Sequence, residues 1–450
     1  MKKVYLVSLG CPKNLVDSEI ILGLLNKSGA KICDRIEQAD IMLLNTCAFI
    51  SEAREESIDL ILDMINIKKE NLGKKIIVIG CLVQRHINTL KKELPEVDLW
   101  VPLAKIPNIP RLINNLSGKR PPKDRQPSPV PSHFLDNKNR PRYMITPPYY
   151  TYIKISEGCD NRCSYCTIPL IKGGYRSRSQ ASILQEFRSL TRRGVKEINI
   201  ISQDTTCYGK DLSSKTNITQ LLRKMCQSGG VPWIRLLYTH PAHVTEDLIK
   251  EIALQDKICN YIDLPLQHID NDILARMGRR TSSAYLIGLI KKIRDKIPQV
   301  ILRTTFIVGF PGETDHQFHR LLEFMEETRF DRLGIFIYSR EKGTPAARMP
   351  DQVPEEVKEQ RFHQAMQLQN GIARKVNSKF PGRTMPVLIE EPAPEQKDVW
   401  TGRCYADAPE VDGTVYIKTP PGKRAKLASG NIIQVKITGT TGYDLTGETV

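Results

Sequence analysis

The stretch Tyr152-Ile153-Lys154-Ile155-Ser156-Glu157-Gly158-Cys159-Asp160-Asn161-Arg162-Cys163-Ser164-Tyr165-Cys166 runs from a short apolar strand into a loop that carries three cysteines. Three thiolates can hold three irons of a [4Fe–4S] cube, whereas an electron-transfer cluster uses four. No fourth cysteine lies close by, so an exchangeable ligand must complete the fourth iron, and the loop reads as a reaction site. A zinc knuckle is the competing reading. It wants a fourth Cys or His at close spacing, which His133 and Cys207, the nearest candidates, do not supply.

Outward from this loop, the chain from Tyr149 to about Arg340 repeats strand then helix. Apolar runs at Tyr152–Ser156, Glu197–Ser202, Trp233–Tyr238, Tyr261–Leu264, Val300–Val308 and Leu333–Tyr338 alternate with amphipathic stretches at Ser182–Arg193, Ile218–Gln227, Glu246–Gln255, Tyr285–Ile297 and His316–Thr328. Such alternation predicts an α/β fold with a parallel sheet. Six units are too few to close an eight-stranded barrel, so an open partial (β/α)6 barrel is expected, with its chemistry at the carboxyl ends of the strands. The cysteine loop follows the first strand, at that end.

Nearer the amino terminus three further apolar runs each lead to a cysteine: Val4–Leu9 to Cys11, Ile41–Leu44 to Cys47 and Ile76–Ile79 to Cys81. Helical-period segments at Asp17–Lys27 and Glu52–Ile65 lie between them, which predicts a second parallel-sheet α/β domain. All three cysteines then fall at the sheet edge where open α/β folds bind ligands. From pattern alone the trio reads equally as strand-end packing or as a shared metal site. The other five cysteines, Cys33, Cys207, Cys226, Cys259 and Cys404, share no pattern and read as small buried hydrophobes.

Between the two α/β regions, Ser117–Pro148 is rich in proline and contains the basic run Gly118–Arg125, the texture of a linker. After Gln352 a long helical stretch, Glu355–Lys379, leads to a tail of alternating runs at Pro386–Ile389, Thr414–Ile417 and Ile432–Ile437. Gly, Pro and Asp turns separate these runs, which predicts a small antiparallel β-barrel. The expected boundaries are 1–116, 117–148 for the linker, 149–377 for the partial barrel and 378–450 for the tail.

Charge bears on the partner. The 450 residues carry 66 Lys+Arg against 50 Asp+Glu, a net +16 that suits an anionic partner such as RNA or a ribosome. The tail from Ser378 holds nine of each sign, so it is not the basic part, and a barrel gripping phosphates should be basic. The linker from Gly118 to Pro148 holds 7 basic and 2 acidic residues and is the candidate for an RNA contact. No segment approaches the roughly 20 apolar residues of a membrane helix. The start, Met1–Gly10, has too short an apolar run for a signal peptide, so a cytoplasmic protein with reduced or metal-bound cysteines and no membrane partner is expected. Phosphate-loop, nucleophile-elbow and His-Glu-x-x-His motifs are all missing from the sequence.

Three stretches carry a resemblance: Ser8-Leu9-Gly10-Cys11-Pro12-Lys13-Asn14-Leu15-Val16-Asp17-Ser18-Glu19, the run Cys159–Cys166, and Gly402-Arg403-Cys404-Tyr405-Ala406-Asp407-Ala408-Pro409-Glu410-Val411-Asp412-Gly413. Together they resemble the methylthiotransferase family of radical S-adenosylmethionine (SAM) enzymes, in its RimO branch, over nearly the whole chain. The resemblance implies an auxiliary [4Fe–4S] cluster on Cys11, Cys47 and Cys81, and a second on Cys159, Cys163 and Cys166. It also implies SAM at the open iron of the second cluster, as radical source, and a C-terminal TRAM-like barrel.

The same resemblance places Tyr165 along the adenine of SAM, with loop packing as the competing role. Ser202, Gln203 and Asp204 stand where many radical SAM enzymes have a Gly-Gly-Glu stretch. Gln267 and His268 end the fourth strand and face the expected site, and a structural role competes for His268. No catalytic residue beyond the cluster ligands is assigned. The implied reaction adds a methylthio group to the β-carbon of an aspartate in small ribosomal subunit protein number twelve. It calls for a sulfur donor and a reduced electron donor of flavodoxin or ferredoxin type. Asp407, Glu410 and Asp412 read either as a face for a basic protein or as solubilising acids. Two alternatives stand beside this: a tRNA adenosine methylthiotransferase, and a non-catalytic iron–sulfur RNA-binding adaptor.

Overall fold

The computed structural model describes residues 1–116, 141–394, 396, 398–419 and 427–450. The basic run Gly118–Arg125, and with it the proposed RNA contact of the linker, lies outside the described residues.

The first sheet holds β1 (Lys3–Ser8), β2 (Lys31–Ile32), β3 (Ile41–Thr46), β4 (Lys75–Gly80) and β5 (Leu99–Val101), all parallel, in the order β2-β1-β3-β4-β5. Every residue of β3 is buried, as expected for a central strand covered on both faces by helices. The flanking strands β2 and β5 are too short to announce themselves as apolar runs.

The second sheet contains β6 (Tyr150–Lys154), β9 (Glu197–Ile201), β10 (Trp233–Leu236), β11 (Ile258–Asp263), β12 (Ile301–Val308) and β13 (Arg332–Ile337). They are parallel throughout and lie in chain order, the open six-stranded arrangement the sequence predicts. A small antiparallel ribbon, β7 (Ser156–Glu157) with β8 (Arg176–Ser177), closes the base of the cysteine loop. In the tail, β14 (Thr384–Pro392), β15 (Val399–Arg403), β16 (Val415–Lys418), β17 (Ile432–Thr441) and β18 (Asp444–Thr449) form a closed barrel in the order β14-β15-β16-β18-β17. It is not antiparallel throughout, because β16 and β18 pair in parallel. Threonine and glycine within β15 and β18 hide the apolar alternation that reveals the other strands.

Buried charges fasten these parts together. Asp17, on the helix Pro12–Lys27, accepts from Lys154 at the end of β6 and from Lys172 at 3.3 Å. Glu157 accepts from the same two lysines, at 2.6 and 3.3 Å. All four side chains are 2–4 % exposed. Beside them, Arg142 joins Glu19 of the first domain to Glu186 of the second. On another side Arg54 and Arg85 both bond Glu341, at 2.5 and 2.6 Å.

The tail docks near the amino ends of the barrel strands, and this corrects, for Asp407 and Asp412, the expectation that the tail acids face a partner or merely solubilise. Asp407 is buried and takes two hydrogen bonds from Arg332, at 2.6 and 3.0 Å. Asp412 accepts from the Tyr261 hydroxyl at 2.5 Å and pairs with Arg303, and Glu410 accepts from the Tyr150 hydroxyl at 2.7 Å. Arg403 pairs with Glu197 at 2.7 Å, and Arg235 donates to the Tyr405 carbonyl at 2.7 Å. Asp407 and Asp412 are therefore internal fasteners, while Glu410 holds Tyr150 from an exposed position. Among the described residues, no helix is long and apolar enough to cross a membrane.

Replacing Arg332 by Met leaves Asp407 buried without its cation. Losing one member of such a pair is expected to cost about 3–5 kcal/mol. The tail of Arg332→Met should unfold at lower denaturant than the rest, measured by fluorescence of Trp400 against far-ultraviolet dichroism.

Candidate active site

Each of three adjacent parallel strands, β1, β3 and β4, delivers one cysteine at its carboxyl end. Cys11 caps the helix Pro12–Lys27, Cys47 directly follows β3, and Cys81 opens the helix Cys81–Glu93. Neighbouring strands lie about 4.8 Å apart, so three such ends bring three thiols together. Two glycines allow the approach. A Cβ on Gly10 (φ +82°) would lie 2.8 Å from Cys47 Sγ, and one on Gly80 (φ +104°) would lie 2.5 Å from the Thr46 carbonyl oxygen. Asn14 clamps the same corner: its Nδ2 donates to the carbonyls of Leu9 and Thr46, and its Oδ1 is 3.7 Å from Cys81 Sγ. Burial pushes the Cys81 thiol up to about 12, with Cys47 and Cys11 adding to the rise and Lys172 opposing it. Two helix amino termini also point at this trio and favour thiolates.

The second trio sits on the loop after β7. Cys159 N donates to the Gly173 carbonyl and Ser164 N to the Met277 carbonyl, which pins the loop at both ends. Burial pushes Cys159 up to about 11 and Cys166 up to about 12. Donors already point at sulfur: the Ile168 amide is 3.5 Å from Cys166 Sγ, and Arg279 Nη1 is 3.8 Å from Cys163 Sγ. Such donors suit a metal-bound thiolate. Metal binding at either trio must release protons from these raised thiols, so the donor set fits an iron–sulfur cluster.

The remaining expected contacts divide. Gln203 donates through Nε2 to Glu157 at 3.0 Å, and its Oε1 is buried with no partner, an acceptor open to an ammonium group. Asp204 is 1 % exposed and receives Asn161 Nδ2 at 2.8 Å, so it steadies the cysteine loop. Although burial raises its pKa, hydrogen bonds from His243, Thr206 and Asn161 carry it well below the usual carboxylate range. Cys207 and His243 crowd the same oxygen at 3.2 and 2.8 Å. The carboxylate is thus already filled by donors. Ser202 is fully buried and its hydroxyl accepts from Asp204 N, a supporting role. Tyr165 packs against an apolar cluster that contains Ile273, Met277, Phe310 and Tyr338.

His268 has both ring nitrogens bonded within the protein, which favours the structural one of its two expected roles. It is fully buried, its Nε2 meets Glu313 at 3.1 Å, and its Nδ1 accepts from Asp270 N at 2.9 Å. Nε2 thereby bonds the Gly309–Thr314 loop, where Glu313 also binds the Gly309 amide and Arg361, while Nδ1 holds the backbone at Asp270. Gln267 at the same strand end has φ +76° and ladder bonds to Thr305 and Ile307, so its backbone is held in a strained turn.

The sequence reading missed the lysines. Lys172, six residues past Cys166, feels Cys81 and Cys11 strongly enough that these and the nearer Glu157 and Asp17 raise its pKa despite burial. Lys13, two residues past Cys11, lies over the ring of Tyr238, which follows β10. Through Asp17, Lys172 ties the segment behind the second cysteine loop to the helix capped by Cys11. A signal existed in Asp17 and Lys154, charges set within otherwise apolar periods.

Comparison with known proteins agrees with this layout. Residues 3–102 match the uncharacterized protein family UPF0004, residues 153–325 the radical SAM superfamily and residues 382–450 the TRAM domain. The chain is 46% identical over 449 residues to the ribosomal protein uS12 methylthiotransferase RimO of Geotalea uraniireducens, covering 100% of this chain and 98% of that protein. It is 44% identical over 448 residues to the protein of the same name from Clostridioides difficile, covering 100% and 99%. Among solved structures, the radical SAM methyltransferase TsrM of Kitasatospora setae, with cobalamin and a [4Fe–4S] cluster bound, aligns with a TM-score of 0.56 at 14% identity, over 77% of each chain. That likeness concerns the fold.

Asp204→Ala removes the acceptor that holds Asn161. The variant is expected to release iron from the second trio several-fold faster, followed by chelator absorbance under anaerobic conditions, with the first trio unaffected.

Proposed function

The chain belongs to the RimO family of ribosomal protein uS12 methylthiotransferases, and from that footing we propose that it adds a methylthio group to the β-carbon of an aspartate in uS12, using two [4Fe–4S] clusters. The observation that carries the reading is the pair of cysteine trios, at the carboxyl edges of two separate sheets, joined by one buried set of charges. A radical SAM methylthiotransferase needs such a pair. The C–H bond of an unactivated carbon cannot be ionised by any side chain, so a cofactor must break it. Bound at the second trio, a [4Fe–4S] cluster with SAM on its open iron supplies the radical that removes the hydrogen.

The residues of the chain do the rest. Cys159, Cys163 and Cys166 hold three irons, and Gln203 offers Oε1 to the SAM ammonium while Glu157 fixes its amide. Tyr165, beside Cys166, and Gln267 are assigned to SAM contact on the strength of the family pattern. Cys11, Cys47 and Cys81 would hold the auxiliary cluster, which would supply sulfur close to the substrate carbon. A second SAM supplies the methyl group, and a reduced flavodoxin- or ferredoxin-type protein and a sulfur donor complete the requirement. The TRAM match makes the tail a second candidate, beside the basic linker, for an RNA contact on the ribosome, one that its balanced charge would not drive by phosphate attraction. A cytoplasmic location fits oxygen-sensitive clusters.

The test is anaerobic reconstitution of the wild type and of Cys11→Ala/Cys47→Ala/Cys81→Ala. The triple variant should bind about half the iron and still cleave SAM to 5′-deoxyadenosine with dithionite, while mass spectrometry finds no methylthio group on uS12. Methylthiolation by the triple variant would defeat the two-cluster reading. Failure of the wild type to form 5′-deoxyadenosine would favour the adaptor, and a modified tRNA nucleoside with unmodified uS12 would favour the tRNA enzyme.

A further inference from the structure

Lys13 carries a positive charge that its surroundings leave unmatched. The residue is 8 % exposed, and its Nζ lies 3.1 Å from the centroid of the Tyr238 ring. Among the described residues no oxygen accepts a hydrogen bond from this ammonium and no carboxylate pairs with it. The nearby acids are committed elsewhere. Asp263 accepts from Arg303 at 3.2 Å and from the Tyr238 amide at 2.8 Å. Glu157 is taken by Lys154, Lys172 and Gln203, and Asp17 by Lys154 and Lys172. Those two lysines and two acids neutralise one another and have no charge to lend. An aromatic face returns far less than burying an ammonium costs.

The position is as informative as the charge. Lys13 lies in the first turn of the helix capped by Cys11, so it belongs to the first domain. Tyr238 lies past the end of β10, at the carboxyl end of the second sheet, with a left-handed backbone (φ +59°). A non-glycine residue held there stores strain, which structures keep where a side chain must be aimed. The ring supports one side of the ammonium and leaves its other donors free, at the junction between the two cysteine trios.

We propose that Lys13 binds the side-chain carboxylate of the aspartate that is modified, and thereby selects aspartate over asparagine. The inference rests on the aspartate reading given above. The reacting β-carbon is bonded directly to the carboxylate carbon, so an ammonium that grips the carboxylate fixes that carbon beside Cys11 and its neighbours. A lysine ammonium has three donors and no acceptor. It makes charge-assisted bonds to a carboxylate, whereas an amide offers one neutral oxygen and turns an NH2 group toward like charge. Balancing the charge of an anionic auxiliary cluster is the rival role for Lys13, and it gives a different result.

Wild type, Lys13→Met and Lys13→Arg are reconstituted anaerobically, and iron content and absorbance establish that both clusters are present. Calorimetry then measures binding of two peptides that span the modified site of uS12, one with the aspartate and one with asparagine in its place. The wild type is expected to prefer the aspartyl peptide by roughly 10- to 100-fold. Lys13→Met should erase the preference and Lys13→Arg should keep most of it. If Lys13→Met does not assemble its clusters, Lys13→Gln serves for the same comparison. An undiminished preference in the neutral variant overturns the proposal, and a shifted auxiliary-cluster potential with preference intact assigns Lys13 to charge balance instead. Should the wild type leave the aspartate of intact uS12 unmodified, the aspartate reading itself fails, and this proposal with it.

Discussion

Two lysines and two acids, sealed from water between domains, are the constraint on which the arrangement of the site depends. Lys154 ends β6 and Glu157 lies in β7, just ahead of the second cysteine loop, while Lys172 lies just behind that loop and Asp17 belongs to the helix capped by Cys11. Burying four ions is expensive, and their mutual attraction is worth the cost only when the geometry is well kept. Any rotation of the first domain against the second would separate Asp17 from its lysines and leave bare charges in a dry interior. The electrostatics therefore resist loosening of the one interface that sets the distance between the two cysteine trios.

This constraint also explains a division of labour among the cysteines. The first trio is assembled by sheet geometry, with β1, β3 and β4 side by side and two glycines permitting close approach. The second is assembled by a loop, which must be held from outside by Gly173, Met277, Asp204 and Arg279. A sheet edge is rigid by construction, whereas a loop borrows its rigidity from neighbours. That is why so many polar groups around the second trio are bonded to one another and not left open. Gln203 Oε1 and Lys13 carry capacity that the surrounding protein does not fill, and they are read as ligand contacts.

Much of the architecture was legible in the residues. The six barrel strands and the three cysteine-bearing strands of the first domain announce themselves as apolar runs, because buried parallel strands have two covered faces. Both cysteine sets were visible, one by spacing and the other by its recurrence at strand ends. What escaped has identifiable causes. β2 and β5 are too short to form a pattern, and β15 and β18 are interrupted by threonine and glycine. The tail acids looked like surface because the arginine that receives Asp407 lies 75 residues away. The two readings of His268 stayed level because strand-end position does not reveal that Glu313 and the Asp270 amide bond the ring. Pairings of this kind are made by the fold and leave no local mark.

The docking of the tail has one more consequence. Its loop from Tyr405 to Asp412 stoppers the half-barrel at the end opposite the chemistry, covering Arg235 and Glu197, which have no exposed surface at all. A half-barrel left without that stopper would admit water along its axis toward radical chemistry that survives only in a dry chamber. The tail is thus part of the vessel, and trimming it away would uncover Arg235 and Glu197 at the base of the half-barrel.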